Sequence, residues 1–285
     1  MSSYKINYKQ FRQSPDIKEL LRALERGFDK FGIDYYLVGA VARDVWMSGI
    51  HKLEPRRTTA DIDFAVLINE KGGYEALKEF LIHSEGFQPS RENAFVLIWK
   101  DRTQVDLLPF GAIEDEEATV TIQGTGYTTI HVPGFSEIYE ASLPEVEVGA
   151  ELRFKLCTLP GIVVLKLLAW DDRPEVRRDD IKDISDILNH FFTMHDEEIW
   201  ANHMDLFDGE EFTDLLHTAA RVMGREIKKI VLRNEKLFAR ISGIINAHAA
   251  TAESSKMAVI MSEYFRNTVA DNVRLLQEVQ KGLNE

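Results

Sequence analysis

The hydrophobic period of this chain changes once, and that change limits what it can fold into. Up to about residue 133, short runs of β-branched and aromatic residues are interleaved with amphipathic helical stretches. From Gly161 onward the apolar residues recur at helical spacing only, over residues 162–170, 180–192, 211–223 and 225–238 and in a long stretch after Thr251. Strands confined to one half must pair among themselves, while the other half can bury its apolar faces only helix against helix. The expectation is an α/β N-terminal domain, a β-rich bridge and a helical C-terminal half, with domains over residues 1–150 and 151–285. No internal repeat or low-complexity segment interrupts this division.

Within the first half the punctuation is specific. Ser14-Pro15 reads as a helix start, with Ser as the cap and Pro at the first helical position, where an N–H is not needed. Ile17, Leu20, Leu21, Leu24, Phe28 and Phe31 follow at helical spacing, and Gly32 closes the helix. Tyr35–Val38 reads as a strand ending at Gly39, with a short helix over residues 41–47. A polar loop containing Pro55, Arg56 and Arg57 leads to a strand over Asp61–Ile68, and Gly72-Gly73 opens another amphipathic helix. Residues 95–99 and 103–108 form two more strands around the tight turn Lys100-Asp101-Arg102.

Composition excludes several function classes. At 45% hydrophobic and 28% charged residues, the chain is neither a disordered tail nor a fibre. Its lone Cys157 has no partner for a disulfide within the chain, so a reducing cytoplasm is the expected location. With 34 basic and 47 acidic residues the net charge is −13. Neither half is basic, which excludes a chain-wide footprint for duplex DNA or an anionic membrane. The first residues lack the apolar core of a signal peptide, and the most apolar later run, residues 161–170, is broken by Lys166 and too short to span a bilayer, so no membrane partner is expected. The histidines show no zinc spacing.

The sharpest local feature is Asp61-Ile62-Asp63. Residues two apart on a strand face one side, so both carboxylates point one way and Ile62, Phe64 and Val66 the other. Asp106 alternates in the same manner between Val105 and Leu107 on a later strand. If the two strands are neighbours, three carboxylates share one patch of sheet and repel one another. Divalent cations would relieve that repulsion, and carboxylate oxygens are ligands that Mg²⁺ prefers. The plain alternative is a solvated strand face with ordinary acids, although Asp is disfavoured in strands.

Val38-Gly39-Ala40 at a strand–helix junction puts a Gly where a phosphate can approach the backbone. Together with Arg43-Asp44, the strand Thr58-Thr59-Ala60-Asp61-Ile62-Asp63 and Asp106, it resembles the DNA polymerase beta-like nucleotidyltransferase superfamily. The run Tyr36 to Asp44 is similar to the opening motif of tRNA CCA-adding and poly(A) enzymes. The rest looks closest to the abortive-infection (AbiEii-type) nucleotidyltransferase and toxin family. Arg57 to Phe64, the Asp106-Leu107-Leu108-Pro109-Phe110-Gly111 run, Lys166 and Lys182-Asp183-Ile184-Ser185-Asp186 carry that likeness, which covers about residues 35–190. Ala40 departs from the pattern: the family has Gly or Ser there, and Ala keeps the backbone N–H without the hydroxyl.

The resemblance implies an α+β fold: a nucleotidyltransferase-type mixed β-sheet with flanking helices, then a helical C-terminal domain. It also implies an enzyme that moves a nucleoside monophosphate from a nucleoside triphosphate to an acceptor hydroxyl and releases pyrophosphate. In that reading Asp61, Asp63 and Asp106 hold Mg²⁺ or Mn²⁺, and Gly39, Ala40 and Lys166 hold the triphosphate. Asp183 is an accessory acid, and Lys166 and Asp183 reach the cleft from the helical domain. Arg43 is assigned to phosphate or ribose, the alternative being an ion pair with Asp44 or the Asp-x-Asp cluster. Arg57 is assigned to the leaving pyrophosphate, the alternative being an exposed loop Arg.

Lys166 also stands out on physical grounds. Its helical neighbours Ile162, Val163, Ala169 and Trp170 are all apolar, so its stem is expected to be buried and its ammonium to need an anion. That anion is either the triphosphate or a structural acid, unless the head reaches water. The abortive-infection resemblance implies RNA or a tRNA 3′ end as the favoured acceptor, with a protein or an aminoglycoside-type small molecule as alternatives, and a cognate antitoxin as a further partner. CCA addition is disfavoured, because the similarity to those enzymes ends after the opening motif. The rival class, motivated by Ala40, is a catalytically decayed nucleotide-binding or toxin–antitoxin interaction protein.

Overall fold

The computed structural model describes residues 3–11, 16–54, 59, 61–70, 72–123, 127–207, 214–265 and 267–285. The chain divides into two compact units, Met1–Thr158 and Leu159–Glu285. Ser14, Pro15 and Arg57 lie outside the described residues.

The first unit is α+β. In chain order it contains β1 (Ser3–Ile6), α1 (Tyr8–Phe11), α2 (Ile17–Phe31), β2 (Tyr35–Val38), α3 (Gly39–Asp44), β3 (Asp61–Ile68) and α4 (Gly73–His83). It continues through β4 (Gln88–Pro89), β5 (Val96–Ile98), β6 (Gln104–Gly111), β7 (Thr119–Gln123), β8 (Tyr127–His131), α5 (Phe135–Glu140), β9 (Glu145–Val148) and β10 (Leu152–Leu156). Eight strands make one mixed sheet in the order β1-β9-β10-β2-β3-β6-β5-β4, and β7 and β8 form a separate antiparallel hairpin. At its centre β2 runs antiparallel to β3, and β3 runs parallel to β6.

Strand alternation sends different residues to the two faces. On one, Phe28 of α2 packs on Tyr35 and Phe64, and Gly27 lets α2 lie within 3.1 Å of Leu77 on α4, measured from the position a Cβ would take. Tyr74 of α4 is buried there and donates its hydroxyl to the Leu107 carbonyl at 2.8 Å. On the other, Tyr36 and Phe110 pack with Tyr139, Phe110 also touches Phe135, and Tyr36 donates to the Phe135 carbonyl at 2.9 Å. Each such side chain buried contributes about 1.5–3 kcal/mol before its entropy cost.

The sheet extends beyond the strands read from the sequence. β9 and β10, each a short charged–apolar alternation, add to the β2 side, and β1 pairs with β9 across more than 140 residues of chain. The helix expected over residues 41–47 begins at Gly39 and continues past Asp44 as a π-turn, Val45–Ile50, where Trp46 donates to the Cys157 carbonyl at 2.8 Å.

The second unit is helical: α6 (Leu159–Asp172), α7 (Arg178–Asn202), α8 (Leu215–Val231), α9 (Glu235–Ala249), α10 (Lys256–Tyr264) and α11 (Val269–Asn284). Two expected boundaries move. No break occurs at Gly224: α8 runs through it to Val231, and α9 starts at Glu235, capped by the Asn234 side chain. Gly224 is there for close approach, since a Cβ would come within 2.8 Å of the Leu283 amide nitrogen on α11. The long helix expected after Thr251 is two, capped by Ser255 and Thr268, the latter in a capping box with Asp271. Among the described residues no helix is long and apolar enough to cross a membrane.

Candidate active site

The parallel pairing of β3 with β6 sets Asp61 opposite Gln104 and Asp63 opposite Asp106. Paired residues on adjacent strands point to the same face, so the three acids and Gln104 occupy neighbouring corners of one patch. Strand spacing makes that patch about 5 Å across and about 7 Å along the strands. All four are half-buried, whereas Ile62, Phe64, Val105 and Leu107 between them are buried on the opposite face. Val96 and Ile98 of β5 lie in register with Asp106 and Gln104 and border the patch with apolar side chains. Gln104 donates its Nε2–H to Asp106 Oδ1 at 3.0 Å.

The Gly39 junction meets this patch from the β2 side. Val38 pairs with Asp63 in the antiparallel ladder, so Gly39 emerges beside that carboxylate. Its φ is +70°, and a Cβ there would lie 2.8 Å from Asp63 Cγ. Both facts require glycine: the left-handed backbone disfavours a side chain, and the space is already held by Asp63. Ala40 is buried at 8% exposure. Arg43 is buried at 2% exposure, and its Nε donates to Asp44 Oδ1 at 2.9 Å. The structure thus contains an ion pair between Arg43 and Asp44.

The donor chemistry of the patch suits a divalent cation: hard carboxylate oxygens stand on neighbouring strands, and Gly39 lets the backbone lie against one of them. Among the described residues, however, no group of three His, Cys, Asp or Glu could by itself hold a metal ion. The three carboxylates share a face without closing into a cage. Such a half-site fits Mg²⁺, which is commonly held by one or two carboxylates with substrate phosphates completing the shell.

Lys166 and Asp183 belong to the helical unit and meet there. α6 is apolar on nearly every side, so Lys166 is buried as its neighbours predict, at 7% exposure. Its ammonium lies 2.8 Å from Asp180 and 2.7 Å from Asp183, and Asp183 is fully buried. Asp186, one turn along α7, is also buried, and its carboxylate stands 3.5 Å from His190 Nδ1. Over the first turns of α7, Asp180, Asp183 and Asp186 are therefore interior, while Asp179 is exposed.

Sequence reasoning overlooked two residues here. Asp180 lies three positions before Asp183 and hence on its face of the helix, a spacing that was available as a signal. Gln104 lies two positions before Asp106 and hence on its face of the strand.

No protein-family model matches the chain. No curated protein matches it. Among solved structures, the antibiotic-resistance factor ANT(2'')-Ia in solution aligns at 12% identity, over 84% of this chain and 100% of that one, with a TM-score of 0.35. The crystal structure of ANT(2'')-Ia in complex with adenylyl-2''-tobramycin aligns at 13% identity over 66% and 97%, also at 0.35. A complex of CdnC with HORMA-deltaN from E. coli MS115-1 aligns at 13% identity over 97% and 92%, at 0.28. At these TM-scores the likenesses carry no argument about activity.

Proposed function

We propose that this chain is a nucleotidyltransferase whose chemistry is carried by the carboxylate face of the first unit's sheet. The observation that supports it most directly is the register of β3 on β6, which aligns Asp63 with Asp106, while Asp63 itself lies beside the glycine of the β2–α3 junction. Three acids facing one way in apolar strands are costly unless a cation or a substrate uses them.

In this reading Asp61, Asp63 and Asp106 hold Mg²⁺ or Mn²⁺. The bound cation would offset the charge of the carboxylates and of the triphosphate. The junction at Gly39 and Ala40 receives the triphosphate at the backbone N–H groups that open α3, beside the Asp63 carboxylate. The acceptor hydroxyl attacks the α-phosphorus. Its oxygen forms the new P–O bond, the bond to pyrophosphate breaks, and Asp106 takes the hydroxyl proton. Holding both reactants against the sheet makes the displacement intramolecular, and that positioning is the main contribution of the protein. Lys166 and Asp183 are left out of the chemistry in this proposal, because each already compensates the other's charge.

The test is transfer of label from each α-labelled nucleoside triphosphate, with Mg²⁺ or Mn²⁺, to total RNA, a protein lysate and a panel of aminoglycosides. Label on one pool that Asp61→Asn or Asp63→Asn abolishes, with the fold intact, supports the reading and names the acceptor class. Near-wild-type transfer by either variant overturns the assignment. One observation favours a second reading: Ala40 offers a methyl where a hydroxyl would bond a phosphate. Metal-dependent nucleotide binding without transfer to any pool would select a binding protein instead, and Ala40→Ser becomes the variant to build.

A further inference from the structure

The carboxylate patch has four corners, and one of them is neutral. Asp61, Asp63 and Asp106 carry charge, while Gln104 stands opposite Asp61 and on the same strand face as Asp106. The polar atoms of the patch are half-buried and bordered by Val96 and Ile98, so a charge here is less screened than at an open surface. A fourth carboxylate at this corner would add to the repulsion, and an apolar side chain would leave Asp106 without its amide donor. Glutamine supplies an N–H, adds no charge and is long enough to reach along the strand, as the 3.0 Å bond from its Nε2 to Asp106 Oδ1 records.

We infer that Gln104 is a positioning residue for the third carboxylate, and that it acts on the reaction only through Asp106. A carboxylate on a strand turns about its Cβ–Cγ bond over a broad range. A hydrogen bond to one oxygen sets that rotation, and therefore sets where the carboxylate presents its charge to a cation or to the attacking hydroxyl. Groups that orient metal ligands in this way, without touching the metal, typically account for 10–100-fold in affinity or rate. This inference rests on the nucleotidyltransferase reading of the same patch.

The experiment uses the full chain with three substitutions. Gln104→Met keeps the length and loses the N–H, Gln104→Glu keeps the shape and adds a charge, and Asp106→Asn removes the group acted upon. Two readouts are needed: Mn²⁺ affinity by calorimetry or electron paramagnetic resonance, and steady-state kinetics on whichever acceptor the label identifies. Gln104→Met is expected to weaken Mn²⁺ binding about tenfold and to lower kcat by a similar factor, with KM for the triphosphate changed by less than about twofold. Gln104→Glu is expected to lower kcat further than Gln104→Met while folding normally. Adding Gln104→Met to Asp106→Asn is expected to cost nothing more, because the partner is already gone.

Gln104→Met with wild-type Mn²⁺ affinity and wild-type kcat overturns the inference while leaving the reaction assignment standing. Additive losses in the double variant overturn it as well, since they show a role independent of Asp106. A wild-type chain that neither binds Mn²⁺ nor transfers a nucleotide brings down the underlying reading together with it.

Discussion

Lys166 is the residue at which physical necessity is plainest. An ammonium at 7% exposure needs an anion, and it has two, Asp180 at 2.8 Å and Asp183 at 2.7 Å. Removing one member of a buried ion pair leaves the others uncompensated, at about 3–5 kcal/mol. Lys166→Met is therefore expected to destabilise the helical unit by about that amount, read from urea denaturation. Asp183→Asn in the same chain should return part of the loss by removing one of the two carboxylates left without the ammonium. A Lys166→Met protein as stable as wild type would instead mean that this lysine is replaceable in the fold and is kept for a ligand. The sequence required an anion for Lys166 but could not name it, because the stripe of four apolar neighbours records burial and not which acid comes within reach. Gly39 differs: its strand-end position was legible, yet the collision a Cβ would make with Asp63 depends on the antiparallel pairing of β2 with β3.

At the scale of elements, two contacts set how pieces meet. α8 and α11 cross at paired glycines, and a Cβ on Gly282 would come within 3.0 Å of the Arg225 amide nitrogen. Gly282→Ala should force the helices apart and destabilise by about 1–3 kcal/mol, as overpacking does; an unchanged denaturation midpoint would show the crossing to be loose. In the first unit Asp34, ahead of β2, accepts from Lys155 on β10 and Tyr139 on α5. Burial by itself would raise the Asp34 pKa, but those two bonds outweigh it and hold the carboxyl below its ordinary range. Burial by itself would lower the Lys155 pKa, and the bonds its ammonium donates to Asp34 and to the Tyr139 hydroxyl more than reverse that. A carboxyl depressed on folding contributes stability above its unfolded pKa of about 3.9, and that contribution is lost as the pH falls through the folded value. Asp34→Asn should therefore cost about 1 kcal/mol at pH 7, after discounting for a half-exposed pair. The difference from wild type should narrow as the pH falls below the unfolded value and close once it lies below the folded one, where both states are protonated. An equal difference at both ends of that range would assign the effect to shape and not to charge. β2 and β3 were legible to the residue because their apolar runs end sharply. β9 and β10 were passed over because they are short and alternate with charges, a pattern a surface loop shares.

For the whole molecule, a net charge of −13 means that the folded state works against its own repulsion. Raising the ionic strength from about 0.01 to about 0.15 M shortens the screening length from about 30 to about 8 Å. The thermal midpoint is expected to rise by roughly 2–4 °C, the equivalent of about 1 kcal/mol; a flat response would show the acids to be compensated locally by the many surface ion pairs. The division into a sheet-bearing half and a helical half follows from periods of two and of 3.6, which act between residues a few positions apart. So do the facing of Asp61 with Asp63 and the burial of Lys166, and the sequence by itself determined all of these. The register that sets Asp63 beside Asp106 and the choice of acids that meet Lys166 were decided only in the tertiary structure. Each depends on which distant segment packs alongside, and that choice comes from the sum of side-chain contacts across the sheet or bundle, with no trace in local spacing.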